Sequence, residues 1–304
     1  MLLVYYLSKL GYPNIPDFLV KYLECPSLDR LKRIGYFCGM DYASKEIYDF
    51  KEPISRYAHS LTTSLLVYKL THDKVATIAA LFHDVGTPCF SHVIDYMNKD
   101  YIKQESTEAF TGAIIRDDAY LIKCLEADGI SVEDIINFKK YPIVDNERPK
   151  LCADRLDGII LTGIGWTDSI TFKDIYDIVE NATVITNEDG ELEIGFSDEN
   201  IAKRVVEHSN LIDEFCHTKE DTYMMESLAS ITKKAIELKC FSYKSLYFDD
   251  EAKILQKIKE SKDSELHEMY MNFKTIKKSE ITLKDNPEIK RRLLKPLCNG
   301  KRIY

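Results

Sequence analysis

The segment Thr77-Ile-Ala-Ala-Leu-Phe-His83-Asp84-Val-Gly86 sets an imidazole and a carboxylate side by side at the end of an apolar, helix-forming run. Neither group enters a dry interior without a partner, so the pair points to a polar site at the end of a buried helix. Upstream stands Arg56-Tyr-Ala-His59-Ser60, and far downstream Cys152-Ala-Asp154-Arg155-Leu-Asp157. His59, His83, Asp84 and Asp154 together offer two nitrogen and two oxygen ligands to one divalent metal ion. The two histidines lie on helical patterns joined near Thr71-His-Asp-Lys74, so an antiparallel pair brings one imidazole opposite the other. Adjacent helical residues point ~100° apart, which suits His83 and Asp84 to neighbouring corners of one octahedral ion. The mixed set suits Mn, Fe, Co, Ni or Zn better than Ca, with Mg also admitted. The expected chemistry is metal-assisted hydrolysis.

Around this centre the apolar residues recur with helical spacing. The periodicity predicts helices near 16–23, 27–38, 56–71, 74–84, 104–115, 118–127, 131–139, 150–163, 170–180, 198–215, 220–238 and 251–274. Ser131 with Asp134, and Thr171 with Asp174, resemble helix-start boxes, and Gly129 and Gly165 fit helix ends. One stretch departs from the habit: polar and apolar residues alternate around Asp189-Gly190 between 183 and 196, which predicts a β-hairpin. The expected fold is mainly α. A boundary in 166–182 would separate a metal-binding helical core, 1–165, from a C-terminal helical region, 166–304, that carries the hairpin and a basic tail.

Composition sets the outer limits. The chain has 304 residues, 45% hydrophobic and 30% charged, enough for one large core or a core with an appended unit. Charges interrupt every apolar run well before the roughly 20 residues of a membrane span, and no cleavable leader is apparent, so a cytoplasmic location is expected. Eight scattered cysteines without a Cys-x-x-Cys pair read as reduced structural thiols. The net charge of −9 argues against non-specific nucleic-acid binding. The charge is uneven, however: from Lys274 to Tyr304 ten Lys or Arg face three acids. The tail Lys290-Arg-Arg-Leu-Leu-Lys295 is expected chiefly to dock on an acidic surface, with anion binding as the alternative.

With these residues in place a resemblance can be stated. Ser27-Leu-Asp-Arg30, Arg56-x-x-His59-Ser60, His83-Asp84-x-Gly86, Phe90-Ser91-His92-x-x-Asp95 and Asp154-Arg155-x-Asp157 resemble the HD-domain superfamily of metal phosphohydrolases. Their order and spacing are nearest to the deoxynucleoside triphosphate triphosphohydrolase (dGTPase-like) branch. The resemblance implies an HD-type helical core, one metal ion on His59, His83, Asp84 and Asp154, and phosphate-facing cations at Arg56, Arg155 and Lys219. It also implies proton handling by His92 with Asp95, or by Glu105. Tyr36 stands where the branch has a glutamine near the sugar, so Tyr36 is a candidate substrate contact. The chain departs from the branch at Thr87-Pro88-Cys89, which lacks a histidine, and at Gln104-Glu105, which replaces His-Glu. The implied substrate is a small phosphate ester, a nucleotide first of all, and a homo-oligomer is expected. The alternative is a degenerate member that binds a nucleotide as a sensor without turnover.

Overall fold

The computed structural model describes residues 1–104, 106–283 and 287–304, and its architecture is mainly α, as the periodicity predicts. Helices α1 (Leu2–Lys9), α2 (Asp17–Val20) and α3 (Pro26–Leu31) lead to a central pair, α4 (Arg56–Thr71) and α5 (Lys74–Phe82). After α6 (Val93–Met97) come α7 (Thr111–Asp117), α8 (Ala119–Asp128) and α9 (Val132–Ile136), then α10 (Ala153–Gly165) and α11 (Phe172–Asn181). The hairpin β1 (Ala182–Thr186) and β2 (Leu192–Phe196) precedes α12 (Glu199–Cys216), α13 (Lys219–Glu237), α14 (Ser245–Phe248), α15 (Glu251–Lys259) and α16 (Ser264–Thr275). Strands β3 (Leu297–Cys298) and β4 (Lys301–Arg302) end the chain. No helix is long and apolar enough to cross a membrane among the described residues.

The central pair explains where the site lies. α4 is buried on almost every side, by Leu61, Leu65, Leu66 and Val67 together with the small polar residues Ser60, Thr62, Thr63 and Ser64. Thr62 Oγ1 donates to Ala58 O at 2.8 Å and Ser64 Oγ to Leu61 O at 3.0 Å, so these two hydroxyls enter the core with a partner, whereas Ser60 Oγ has none among the described residues. His72, in the left-handed conformation, ends α4, and Asp73 starts α5 by accepting from the amides of Val75 and Ala76. This two-residue turn folds α5 back onto α4 and puts His83, just past the end of α5, across from His59.

Three helical expectations are corrected. The pattern at 27–38 stops at Leu31, because the chain bends into a bridge between Gly35 and Ser55. The run 251–274 is two helices: Asp263 caps a new start by accepting from Leu266 N at 2.8 Å, and the apolar rhythm persists because both pieces face one core. The run 104–115 becomes regular helix only from Thr111. The periodicity did not reveal α1, α6, α14 or the two C-terminal strands. Those strands extend the hairpin into a four-stranded sheet in which β2 pairs parallel with β3 and β3 antiparallel with β4.

Gly86 shows how tightly the chain beyond the dyad is packed. A Cβ there would lie 2.3 Å from Thr111 Oγ1 and 2.7 Å from Thr111 N. Backbone cannot rotate away as a side chain can, so Gly86→Ala is expected to cost roughly 1–3 kcal/mol, read as a lower urea midpoint at unchanged slope. An unchanged midpoint would show that this loop yields.

Candidate metal centre

The ligand atoms of His59, His83 and Asp154 all lie within 4.8 Å of one another. His59 comes from the first turns of α4, His83 from the end of α5 and Asp154 from the first turn of α10, where the helix dipole favours a carboxylate. Asp154 Oδ1 is 3.0 Å from His59 Nε2 and 3.5 Å from His83 Nε2. Each imidazole is oriented by its other nitrogen. His83 Nδ1 donates to Ala80 O at 2.7 Å, and His59 Nδ1 donates to Asp157 Oδ2 at 2.7 Å. Both Nε2 atoms therefore face the same small space, and among the described residues His83 Nε2 is buried with no hydrogen-bond partner. Two convergent imidazole nitrogens, one without a partner, beside a carboxylate are a donor set that fits a divalent ion.

Asp157 is fully buried and serves two donors, His59 and the Tyr6 hydroxyl at 2.7 Å. Asp154 and Asp157, three apart on α10, thus grip one imidazole from its two sides. Burial opposes a charge on His59, but the hydrogen bonds to Asp154 and Asp157 prevail and raise its pKa to about 10. Asp84 stands at the rim, 3.8 Å from His59 Nε2 and 3.9 Å from His83 Nε2. Its Oδ2 accepts from Arg56 Nη1 at 2.9 Å. Despite burial, His83 and Arg56 hold its carboxyl well below the usual range. A second grouping, Asp145, Cys152 and Asp154, shares a ligand with the first. It is the poorer candidate, since burial pushes the Cys152 thiol up to about 12 and Asp145 is paired with Arg155 at 3.2 Å.

Two cavities meet beside this cluster. The outer one is polar and reaches His83, Asp84 and Lys139; the inner one, about 220 Å³, is walled by Tyr36, Phe37, Phe50, Trp166 and Met225. Arg56, His92, Gln104, Arg148, Asp154, Arg155 and Arg292 line both, and so form the neck between them. Arg56 is held there by Asp84, by Ser91 Oγ at 3.1 Å and over the Tyr36 ring at 4.8 Å. His92 Nδ1 lies 2.9 Å from Asp95 Oδ2, and Asp95, fully buried, also accepts from Ser106 N. Phe90, Ser91 and Gln104 carry positive φ angles, so the backbone that presents His92 and Gln104 is strained.

The structure therefore gathers His59, His83, Asp84, Asp154, Arg56, Arg155, Tyr36, His92 and Asp95 around one neck. Lys219 is not among them: it opens α13 on the exposed surface, and the residue of that turn that faces the inner cavity is Asp221. Glu105 lies outside the described residues. Reading the sequence missed Tyr6, Arg148, Asp221 and the inward-facing Lys290 and Arg292. Asp221 is buried, accepts from the Tyr48 hydroxyl at 2.6 Å, and is raised by burial to about 6. Of these residues only the tail cations left a trace in the sequence, in the basic run at 290–295.

The comparisons agree with this picture in part. The chain is 28% identical over 148 residues to the uncharacterized protein YdhJ of Bacillus subtilis, covering 48% of this chain and 43% of that one. It is 29% identical over 104 residues to the metal-dependent phosphohydrolase cns2 of Cordyceps militaris, covering 34% of this chain and 30% of that one. The matched segments span less than half of either relative. No family model matches the chain.

If Asp157 sets the His59 tautomer, Asp157→Asn should weaken Mn²⁺ binding about 10–100-fold by titration calorimetry with the fold retained. Affinity equal to wild type would mean that Asp154 alone orients the ring.

Proposed function

We propose that the protein is a metal-dependent phosphohydrolase acting on a nucleotide or a related phosphate ester. The observation that carries this reading is the pair of buried imidazoles with both Nε2 atoms turned toward Asp154, at the neck of a cation-lined cavity. His59, His83 and Asp154 would hold the ion, with Asp84 at its rim. When bound, a divalent ion supplies Lewis-acid neutralisation of phosphoryl charge and a lowered water pKa. The name of the cns2 relative supports the reaction class.

The remaining steps belong to the chain itself. Arg56 and Arg155 place positive charge where phosphoryl transfer develops negative charge, which is most of what such a reaction asks of a protein. Arg155 is fixed for this by Asn146 Oδ1 at 2.5 Å, by Lys150 O and by Asp145. Asp95 fixes His92 through Nδ1, leaving Nε2 to take or give a proton at the neck. The inner cavity receives the organic part of the ester, and its aromatic walls, Tyr36 foremost, suit a planar base. Burial in that cavity also keeps bulk water from the leaving group.

Phosphorus NMR of the Mn²⁺-supplemented protein with ribo- and deoxynucleoside mono- and triphosphates tests the reading. Product is expected from wild type and at least 100-fold less from Asp84→Ala. Tripolyphosphate release would support the triphosphohydrolase branch, and orthophosphate release from monophosphates a phosphomonoesterase. Turnover undiminished in Asp84→Ala, or ligand-induced thermal stabilisation with no product from wild type, would contradict hydrolysis at this site; the latter would leave a nucleotide-binding sensor.

A further inference from the structure

The basic tail is built into the neck. From Ile289 to Pro296 the chain runs as a strap without regular secondary structure past the neck. Lys290 and Arg292 line the outer cavity, while Arg291 turns away to pair with Asp213 at 3.0 Å. Backbone bonds pin the strap along its length. Lys290 N donates to Tyr101 O at 3.0 Å, Arg292 N to Asp213 Oδ1 at 2.6 Å and Lys295 N to Pro149 O at 2.9 Å. At the far end Arg302 locks onto the fully buried Glu193 and onto Glu188.

Lys295 anchors beside Arg148, which lines the same cavity as Lys290 and Arg292. Among the described residues none of these three cations is ion-paired with a carboxylate, whereas Arg56 and Arg155 each are. Among the described residues Arg148 makes one long bond, to Leu293 O at 3.4 Å, Lys290 Nζ donates to Lys103 O at 3.1 Å, and Arg292 Nε is buried without a hydrogen-bond partner. Burial, with repulsion from Arg292 and Arg155, lowers the pKa of Arg148 to about 10, and burial with repulsion from Arg148 and Arg292 depresses that of Lys290, whereas the neighbouring Cys216 raises that of Arg292. Such a set is costly unless an anion joins it.

We propose that Arg148, Lys290 and Arg292 form a second anion subsite, separate from the metal cluster, which takes a further phosphate group of the substrate. Two of its three cations are delivered by the C-terminal strap. The proposal rests on the hydrolase reading, since it assigns the first phosphate to the metal side of the neck. It makes the strap part of the binding site and favours substrates with at least two linked phosphates over monoesters.

Calorimetry of the Mn²⁺-loaded full chain with inorganic phosphate and inorganic pyrophosphate tests it. Lys290→Ala/Arg292→Gln should lose at least tenfold in pyrophosphate affinity, with phosphate and Mn²⁺ affinities within threefold of wild type. The salt dependence of pyrophosphate binding should flatten in parallel. Arg148→Gln and Lys290→Ala alone, which leave the strap's main-chain amide bonds and the Arg302 pairs intact, should each show a smaller loss of the same kind, and serve if the double variant does not fold. Unchanged pyrophosphate affinity, or equal losses for phosphate and pyrophosphate, would overturn the subsite. Failure of wild type to bind Mn²⁺ would instead overturn the reading beneath it.

Discussion

The grip of Asp157 and Asp154 on the His59 imidazole is the contact on which the rest of the site depends. It joins three parts of the chain far apart in sequence: α1 through Tyr6, α4 through His59 and α10 through both acids. A buried carboxylate needs donors, and Asp157 has two, so the chain Tyr6–Asp157–His59 is satisfied inside the core. That satisfaction holds the Nδ1 proton of His59 on Asp157 and aims Nε2 at His83 and Asp154. The orientation of the candidate metal centre is thus a consequence of core hydrogen bonding.

The small sheet serves the same end through the residue that leads into α10. Glu193, fully buried on β2, accepts from Leu151 N at 3.0 Å, and Ile194 N donates to Leu151 O at 3.1 Å. Leu151 lies three residues before Asp154, so the sheet holds the start of the helix that carries the carboxylate. Arg302 neutralises Glu193, and the strap that brings Arg302 there passes the neck on its way. The start of α10, the sheet and the tail are in this way tied together, and cations near the site are distributed between α4, α10, the loop before α10 and the tail.

What could be read from the sequence and what could not follows from the range of the interactions. The convergence of His59, His83 and Asp154, with Asp84 beside them, was legible because helical spacing and short motifs are local signals, and so was the hairpin around Asp189-Gly190. Asp157 stood within a noted motif, but its role needs the Tyr6 contact, 151 positions away, which no local pattern encodes. Lys219 and Arg292 illustrate the converse. Lys219 stands directly before two acids and Arg292 within the basic run at 290–295, yet the direction of each side chain is set by tertiary packing, which exposes the first and turns the second into the neck. The helix expected at 251–274 is divided because an aspartate cap outweighs an apolar rhythm that both pieces share.

The central claim is that a divalent ion sits between His59, His83 and Asp154. Anomalous diffraction at the manganese edge from crystals soaked in Mn²⁺ tests it most directly. The account predicts a peak within bonding distance of His59 Nε2, His83 Nε2 and an Asp154 oxygen. A peak on Asp145, Cys152 and Asp154 instead, or none near the two imidazoles at saturating metal, would contradict it.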